Sequence, residues 1–230
     1  NIFEHTHDMV LGAPYTEVDT VYTSLTPYDN FFAIADTIVE MSPASGPPAL
    51  FDHVQYQHIW KEKFRQGSRW ISMPRPSYDV NKVDNSEALS NYEPYADSPS
   101  LLPIGDVIYV AENWSVNKLG LDWLKREFPQ FKFKIFEGTN GHLDSYFSVV
   151  KPGLALSGLA KNKLPVEFKN WTILEFGKED YKDVSVVSNI FQDDDHENTT
   201  LAVNAFSIDE NNIIMSKHTV DTCPKQIKTL

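Results

Sequence analysis

A recurring order of secondary structure constrains the fold of this chain more than any other feature. Each copy reads as two short apolar strands joined by a turn, then a helical stretch, then a returning strand. One clear copy predicts a strand over Asp106–Ala111, a helix over Lys118–Phe128 and a strand over Phe131–Phe136. Such units bury a continuous core only by packing on their neighbours, so we expect an α/β fold with propeller-like closure around a central site.

Three further copies surround this one. The next unit predicts strands at 146–150, 154–157 and 171–176, with a weak helix near 164–169. Upstream, a strand pair over 31–39, helical spacing of apolar residues over 50–64 and a strand over 69–73 make another copy. The stretch from Pro74 to Pro103 is rich in Pro, Ser and Asn and is long enough to predict a functional loop.

The last copy predicts a hairpin from strands at 200–208 and 213–215, followed by a helix that begins near Cys223 and Pro224. No returning strand follows that helix, which predicts a single domain over residues 1–230 whose final unit is truncated. A missing strand would leave a sheet edge and apolar surface exposed, and a homo-oligomer is compatible with such a surface.

Charge and composition limit the classes of molecule that the chain could bind. The formal net charge of −12 and the pI near 4.9 disfavour nucleic acid and anionic membrane surfaces, and they fit a cationic small molecule. No run approaches the roughly 20 apolar residues that cross a bilayer, and no signal-peptide pattern opens the sequence. The single cysteine excludes an intrachain disulfide, so we expect a reducing, cytoplasmic location.

The segment from Gly141 to Phe147 carries the clearest chemistry. His142 and Asp144 stand two residues apart before an apolar run, and in an extended chain both side chains would point to one face. A carboxylate can fix the tautomer of an imidazole, which then exchanges a proton near neutral pH. The alternative is a structural His–Asp contact at a strand end.

Neither a metal nor a cofactor is expected. His5 and His7 have the spacing of a metal pair but no evident third ligand. The acidic run Asp193–Glu197 lacks the glycine and the spacing of a calcium loop, and glycine-rich phosphate loops are absent from the sequence.

Six segments resemble the amidinotransferases of the pentein superfamily, such as the glycine and inosamine-phosphate amidinotransferases. These are Tyr56–Trp70 with Pro74–Pro76, Glu93–Asp97, Lys118–Arg126, Gly141–Phe147 and Lys151–Ser157. The resemblance implies the five-bladed α/β propeller of that superfamily. It also implies transfer of an amidino group from arginine to an amine through a covalent amidino-cysteine intermediate.

By this resemblance His142 is the general acid and base, and Asp97 and Asp144 bind the guanidinium. Paired carboxylates suit that planar cation because its N–H groups form a fork. Lys161 falls where the family places a basic group for the substrate carboxylate. Asp19, near a predicted strand end, is a further candidate for the acidic site.

The nucleophile is where the chain departs from the family. The family's cysteine lies on a loop after the last helix–strand pair, whereas the single thiol here, Cys223, falls at the start of the last predicted helix. Cys223 is therefore a weak candidate nucleophile, and amidino transfer is expected to be impaired. Two alternatives stay open: a non-catalytic guanidine-binding or structural protein, and a guanidine hydrolase that uses Cys223.

Overall fold

The computed structural model describes residues 27–43, 56–75, 93–176, 203–222, 224–228 and 230. Within these ranges the chain forms four successive units. The predicted order of two strands, a helical segment and a third strand is confirmed in the first three. A short helix, α1 (Pro27–Asn30), precedes them.

The elements follow one another in the predicted order. The first unit contains β1 (Phe31–Ile34), β2 (Thr37–Glu40), α2 (Gln57–Arg65) and β3 (Arg69–Ser72). The second contains β4 (Leu101–Ile104), β5 (Val107–Val110), α3 (Lys118–Glu127) and β6 (Lys132–Ile135). The third contains β7 (Phe147–Lys151), β8 (Leu154–Ser157) and β9 (Thr172–Glu175), with 3₁₀ turns at Lys161–Lys163 and Val166–Phe168 in place of a helix. The fourth contains β10 (Ala205–Ser207), β11 (Ile213–Met215), α4 (Lys217–Thr222) and α5 (Pro224–Ile227).

Each of the first three units folds into a three-stranded sheet with the same topology. The first two strands form an antiparallel hairpin, and the third strand pairs with the second in parallel. A parallel neighbour needs a crossover connection, which the helical segment supplies. The second strand is hydrogen-bonded on both edges and lies in the middle of its sheet, and accordingly β2 and β8 are buried at every residue.

The hairpin turns lie at the far ends of the first strands. We call them the outer turns: Ala35–Asp36, Gly105–Asp106 and Pro152–Gly153. Ala35 has φ 51° and Gly105 has φ 61°, so both occupy the left-handed region. Two-residue hairpin turns of this kind match the right-handed twist of the flanking strands.

The loop predicted from Pro74 to Pro103 ends earlier than expected, so its predicted boundary is wrong. Strand β4 begins at Leu101 and contains Pro103, which pairs with Ile108 across the hairpin. Proline is tolerated there because β4 is an edge strand of its sheet, where a missing N–H need not break a ladder on both sides.

Helix α3 begins at a well-formed cap. The side chain of Asn117 accepts hydrogen bonds from the backbone N–H groups of Gly120 at 2.8 Å and Tyr95 at 3.2 Å, and its amide donates to the Glu93 carbonyl at 2.8 Å. The cap therefore satisfies a backbone N–H at the start of the helix and also holds the segment 93–97 against it.

The hydrophobic cores lie between successive units. The first joins units one and two, with Phe32, Val39 and Met73 packed with residues such as Ile108, Leu121 and Leu124. The second joins units two and three around an aromatic group, and the third joins units three and four: Tyr109, Phe136, Phe147 and Phe168 in the second, and Leu156, Phe176 and Val203 in the third. Each unit thus buries its sheet against the next one, as expected for repeats that cannot form a core alone.

Among the described residues, no helix combines the length and the apolar character that crossing a membrane requires.

Candidate functional site

One short helical turn precedes the first strand of each of the first three units. These leading turns are Pro27–Asn30, Ser98–Ser100 and Leu143–Ser145. The first contacts the second, and the second contacts the third. Positions that are distant in the sequence therefore converge, and they carry three carboxylates and an imidazole: Asp29, Asp97, His142 and Asp144.

His142 and Asp97 form a direct pair in this cluster. The Nε2 atom of the imidazole lies 2.9 Å from Oδ2 of the carboxylate. The Asp97 side chain is 3% exposed and that of His142 is 25% exposed. Because Nε2 donates to the carboxylate, Nδ1 is left to exchange a proton with a bound molecule, and no described residue forms a hydrogen bond with Nδ1.

The segment that carries Asp97 is held by two units. The backbone N–H of Asp97 donates to the Ser115 carbonyl at 2.8 Å, and that of Ala96 donates to the Ser42 carbonyl at 2.8 Å. Ser42 follows β2 and Ser115 follows β5, so both neighbouring sheets fix the carboxylate. Anchoring of this kind holds a functional group in a narrow range of positions.

Opposing effects act on the imidazole of His142. Burial lowers the pKa of His142, but the hydrogen bond with Asp97 and the charges of Asp97, Asp29 and Asp144 outweigh it. The pKa of His142 is consequently raised above its ordinary 6.5. The cationic form of this ring is therefore more favoured than that of an isolated histidine, and the ring is one that can donate a proton in acid–base chemistry.

The environment of Asp144 disfavours its ionised form. Burial raises the pKa of Asp144 to about 6, the charge of Asp29 adds to the effect, and His142 opposes it. The Asn204 amide donates to Asp144 Oδ2 at 3.2 Å and partly compensates. A cation placed beside Asp144 would lower this pKa, so the charge of the cluster is suited to a positively charged ligand.

Sequence reasoning missed the contribution of helix α1. Tyr28 brings its hydroxyl to 3.5 Å from the Leu101 carbonyl, and burial together with the charge of Asp144 raises the pKa of Tyr28 to about 12. Asp29, the next residue, acts electrostatically on both His142 and Asp144. Comparison of the units would have drawn attention to Asp29, because it lies in the leading turn before β1 as Asp144 lies in the leading turn before β7.

A second missed contribution comes from the loop after β5. The ring of Trp114 faces the ring of His142, with centroids 5.4 Å apart and planes inclined by 32°. The indole N–H of Trp114 donates to the Asn140 carbonyl at 2.8 Å, and the Asn113 amide donates to the Gly141 carbonyl at 2.9 Å. No sequence motif marks these residues, since their roles depend on contacts between two units.

The structure changes the interpretation of the His142–Asp144 spacing. Residues 143–145 form a 3₁₀ turn, so the expectation of two side chains on one face of an extended chain is wrong. His142 hydrogen-bonds to Asp97, 45 positions away in the sequence, rather than to Asp144. The turn nevertheless keeps Asp144 close enough for its charge to act on the imidazole.

Of the other predicted site residues, the structure describes Lys161. The ammonium of Lys161 donates to the Trp171 carbonyl at 2.7 Å in the third unit, so its role toward a substrate carboxylate stays a prediction. Asp19 and Cys223 lie outside the described residues. Within the described ranges, no three His, Cys, Asp or Glu side chains are arranged to hold a metal ion.

Relatives were found by sequence among curated proteins, although no family model matches the chain. It is 27% identical to the mitochondrial glycine amidinotransferase of Danio rerio over 172 residues, which is 64% of this chain and 40% of that protein. The chain thus spans less than half the length of the curated relatives it matches.

Solved structures match a larger share of this chain than the curated relatives do. An amidinotransferase of the saxitoxin biosynthetic pathway of Microseira wollei aligns with a TM-score of 0.66 and 25% identity, over 88% of this chain and 61% of that one. The inosamine-phosphate amidinotransferase of Streptomyces griseus aligns with a TM-score of 0.70 and 20% identity, over 88% of this chain and 59% of that one. The second match supports the fold, which is the expected pentein arrangement of ββαβ units. By sequence and by fold together, the chain is similar to the amidinotransferases of the pentein superfamily.

Proposed function

We propose that this chain is an amidinotransferase-like protein that binds a guanidino compound such as arginine at the cluster of Asp29, Asp97, His142 and Asp144. The observation that carries the proposal is the 2.9 Å pair between His142 and Asp97, with two further carboxylates acting on the same imidazole. Within this family, such a cluster fits a flat organic cation that also undergoes proton transfer.

The charge of the cluster favours a guanidinium over a neutral ligand. Asp144 has its pKa raised to about 6 by burial, which means that its ionised form lacks a sufficient counter-charge. A guanidinium offers planar N–H donors that match carboxylate oxygens and keeps its charge at every relevant pH. Binding should therefore be stronger for arginine than for citrulline, which replaces the guanidinium by a neutral ureido group.

His142 would handle the protons of an amidino transfer. When the C–N bond of the donor breaks, the departing amine takes a proton, which His142 can supply from Nδ1. The acceptor amine must later lose a proton, and the same atom can receive it. Asp97 at Nε2 would stabilise the imidazolium formed between the two steps.

The amidino carbon must also be carried from the donor amine to the acceptor amine, which needs a nucleophile that bonds to it in between. By the family resemblance a cysteine thiolate forms a C–S bond as the donor C–N bond breaks, and the acceptor amine displaces it by forming the new C–N bond. Cys223 is the single cysteine of the sequence and lies outside the described residues. Binding and transfer are therefore tested separately.

Binding is tested by isothermal titration calorimetry with arginine and citrulline at pH 8. We expect a heat of binding for arginine only, and at least a tenfold loss of affinity in Asp97→Asn and Asp144→Asn, since each removes one charge from the cluster. Asp106→Asn is the matched control, because it removes the same charge from an exposed outer turn. Equal binding of citrulline, or unchanged affinity in both variants, would contradict the proposal.

Transfer is tested by incubating the chain with arginine and a primary amine such as glycine. Ornithine and a new guanidino product, both absent in Cys223→Ala and His142→Gln, are expected if Cys223 serves as the nucleophile. Citrulline and ammonia would instead identify a hydrolase. Binding without any turnover would leave a guanidine-binding protein.

A further inference from the structure

We propose that Trp114 is a positioning residue whose indole face supports the imidazole of His142 and stabilises that ring in its cationic form. The proposal concerns the histidine to which the proposed function assigns proton transfer. Its test needs neither ligand nor turnover, so it can fail independently of that function.

The ring geometry supports this role. The centroids of Trp114 and His142 are 5.4 Å apart, within the distance of about 6 Å at which a cation interacts with the face of an aromatic ring. The planes are inclined by only 32°, so the contact is closer to offset stacking than to an edge-to-face arrangement. Trp114 is also 49% exposed, which shows that it is not a buried part of the hydrophobic core.

Hydrogen bonds fix the indole in place. The N–H of Trp114 donates to Asn140, and the preceding Asn113 donates to Gly141, so the two residues before His142 are tied to the loop after β5. The Oδ1 atom of Asn113 also accepts hydrogen bonds from the N–H and the hydroxyl of Ser115, at 2.9 and 2.7 Å. The imidazole is thus held on one edge by Asp97 and on one face by Trp114.

Two possible effects of Trp114 on His142 have opposite signs, which makes the inference testable. If the indole only shielded the imidazole from water, its removal would ease solvation of the cation, and the pKa of His142 would rise. If the indole face stabilises the cation, removal lowers the pKa. The carboxylates that face His142, namely Asp97, Asp144 and Asp29, are unchanged in either case.

The experiment is an NMR pH titration of the ¹⁵N-labelled full chain that follows the ring nitrogens of His142, assigned by their loss in His142→Gln. We expect Trp114→Leu to lower the pKa of His142 by about half a pH unit and Trp114→Phe to lower it by less. Phe64→Leu, which removes an exposed aromatic ring elsewhere, should leave the pKa unchanged. An unchanged or raised pKa of His142 in Trp114→Leu would overturn the proposal.

A second measurement covers the case in which Trp114→Leu does not fold. Site-specific incorporation of trifluorinated tryptophan at position 114 keeps the shape of the indole but weakens the negative potential of its face. The pKa of His142 should then fall in the otherwise unaltered protein. If it stays the same, the indole face does not stabilise the cation and the inference is wrong.

Discussion

At the scale of single residues, the site brings together carboxylates whose negative charges repel one another. The charges of Asp29, Asp97 and Asp144 act on one imidazole, and burial, with a smaller contribution from the charge of Asp29, raises the pKa of Asp144. Sites of this kind often lower the stability of the empty protein, because function requires groups that folding alone would not bring together.

We therefore expect Asp144→Asn to stabilise the empty protein at pH 8. The pKa of Asp144 is about 6 in the folded state and near 3.8 in an unfolded chain, so the folded state holds the proton more tightly. Ionised Asp144 consequently costs stability above pH 6, and this cost disappears as the pH falls toward 4. The gain at pH 8 should be about 1 kcal/mol, a value reduced for partial exposure to solvent.

Urea unfolding of the variant and the parent at pH 8 and pH 4.5 checks this expectation. The difference in the free energy of unfolding should shrink at the lower pH. Asp106→Asn is the control with the opposite sign, since a hydrogen bond from Lys132 lowers the pKa of Asp106. A larger gain at pH 4.5 than at pH 8 would contradict the assignment.

Only some residues of this cluster could be predicted from the sequence. Asp97, His142 and Asp144 were predicted together, and the structure brings their charges to one place. Asp29 and Trp114 were not, because neither lies in a local motif: one acts through the leading turn of another unit, and the other through a ring contact. The partner of His142 was also unpredictable from spacing, since a 3₁₀ turn replaces the expected extended segment.

At the scale of elements, the start of helix α3 is packed against the segment that carries Asp97. A Cβ atom built on Gly120 would lie 2.1 Å from the carbonyl oxygen of Tyr95 and 2.7 Å from its carbon. A Cβ atom cannot lie so close to backbone atoms. The helix and the segment 93–97 therefore touch only because residue 120 has no side chain.

We expect Gly120→Ala to destabilise the fold by about 2 kcal/mol, because overpacking must displace backbone rather than a flexible side chain. The displaced segment should also loosen the contact between Asp97 and His142 and lower the pKa of His142. Urea unfolding and the NMR titration measure the two effects. Lys125→Ala, an exposed position on the same helix, is the control and should change neither.

Element boundaries show where sequence patterns stop being informative. The hairpin and crossover order was predictable because the apolar strands repeat with regular turns between them. Strand β4 was missed because Pro103 reads as a loop residue, and only the position of β4 at a sheet edge makes it acceptable. The weak helix near 164–169 became 3₁₀ turns, in which Phe168 alone is fully buried.

At the scale of the whole molecule, stability depends on the contacts between units. Phe168 shows this best, since its ring lies 5.2 Å from Tyr109 and 6.2 Å from Phe136 in the second unit. It also lies 4.7 Å from Phe147 in its own unit. The aromatic group therefore joins two sheets that have no strand pairing with each other.

We expect Phe168→Ala to lower the free energy of unfolding by about 3–5 kcal/mol, the usual cost of truncating a buried aromatic side chain. Loss of contact between units two and three should also broaden the unfolding transition, because the units would no longer unfold together. Phe206→Ala, at a position that is 65% exposed, should change the free energy by less than about 0.5 kcal/mol. Equal effects of the two substitutions would contradict this account of the core.

The outer turns lie one strand length away from the leading turns, about 13 Å for four residues at the usual rise per residue. Asp36 and Asp106 are both exposed there. Because the outer turns are far from the carboxylate cluster, fluorescent dyes can be attached there without altering it. In a Cys223→Ser background, the substitutions Asp36→Cys and Asp106→Cys would allow two adjacent units to be labelled. Energy transfer between the dyes would then report whether neighbouring units shift when a ligand occupies the centre.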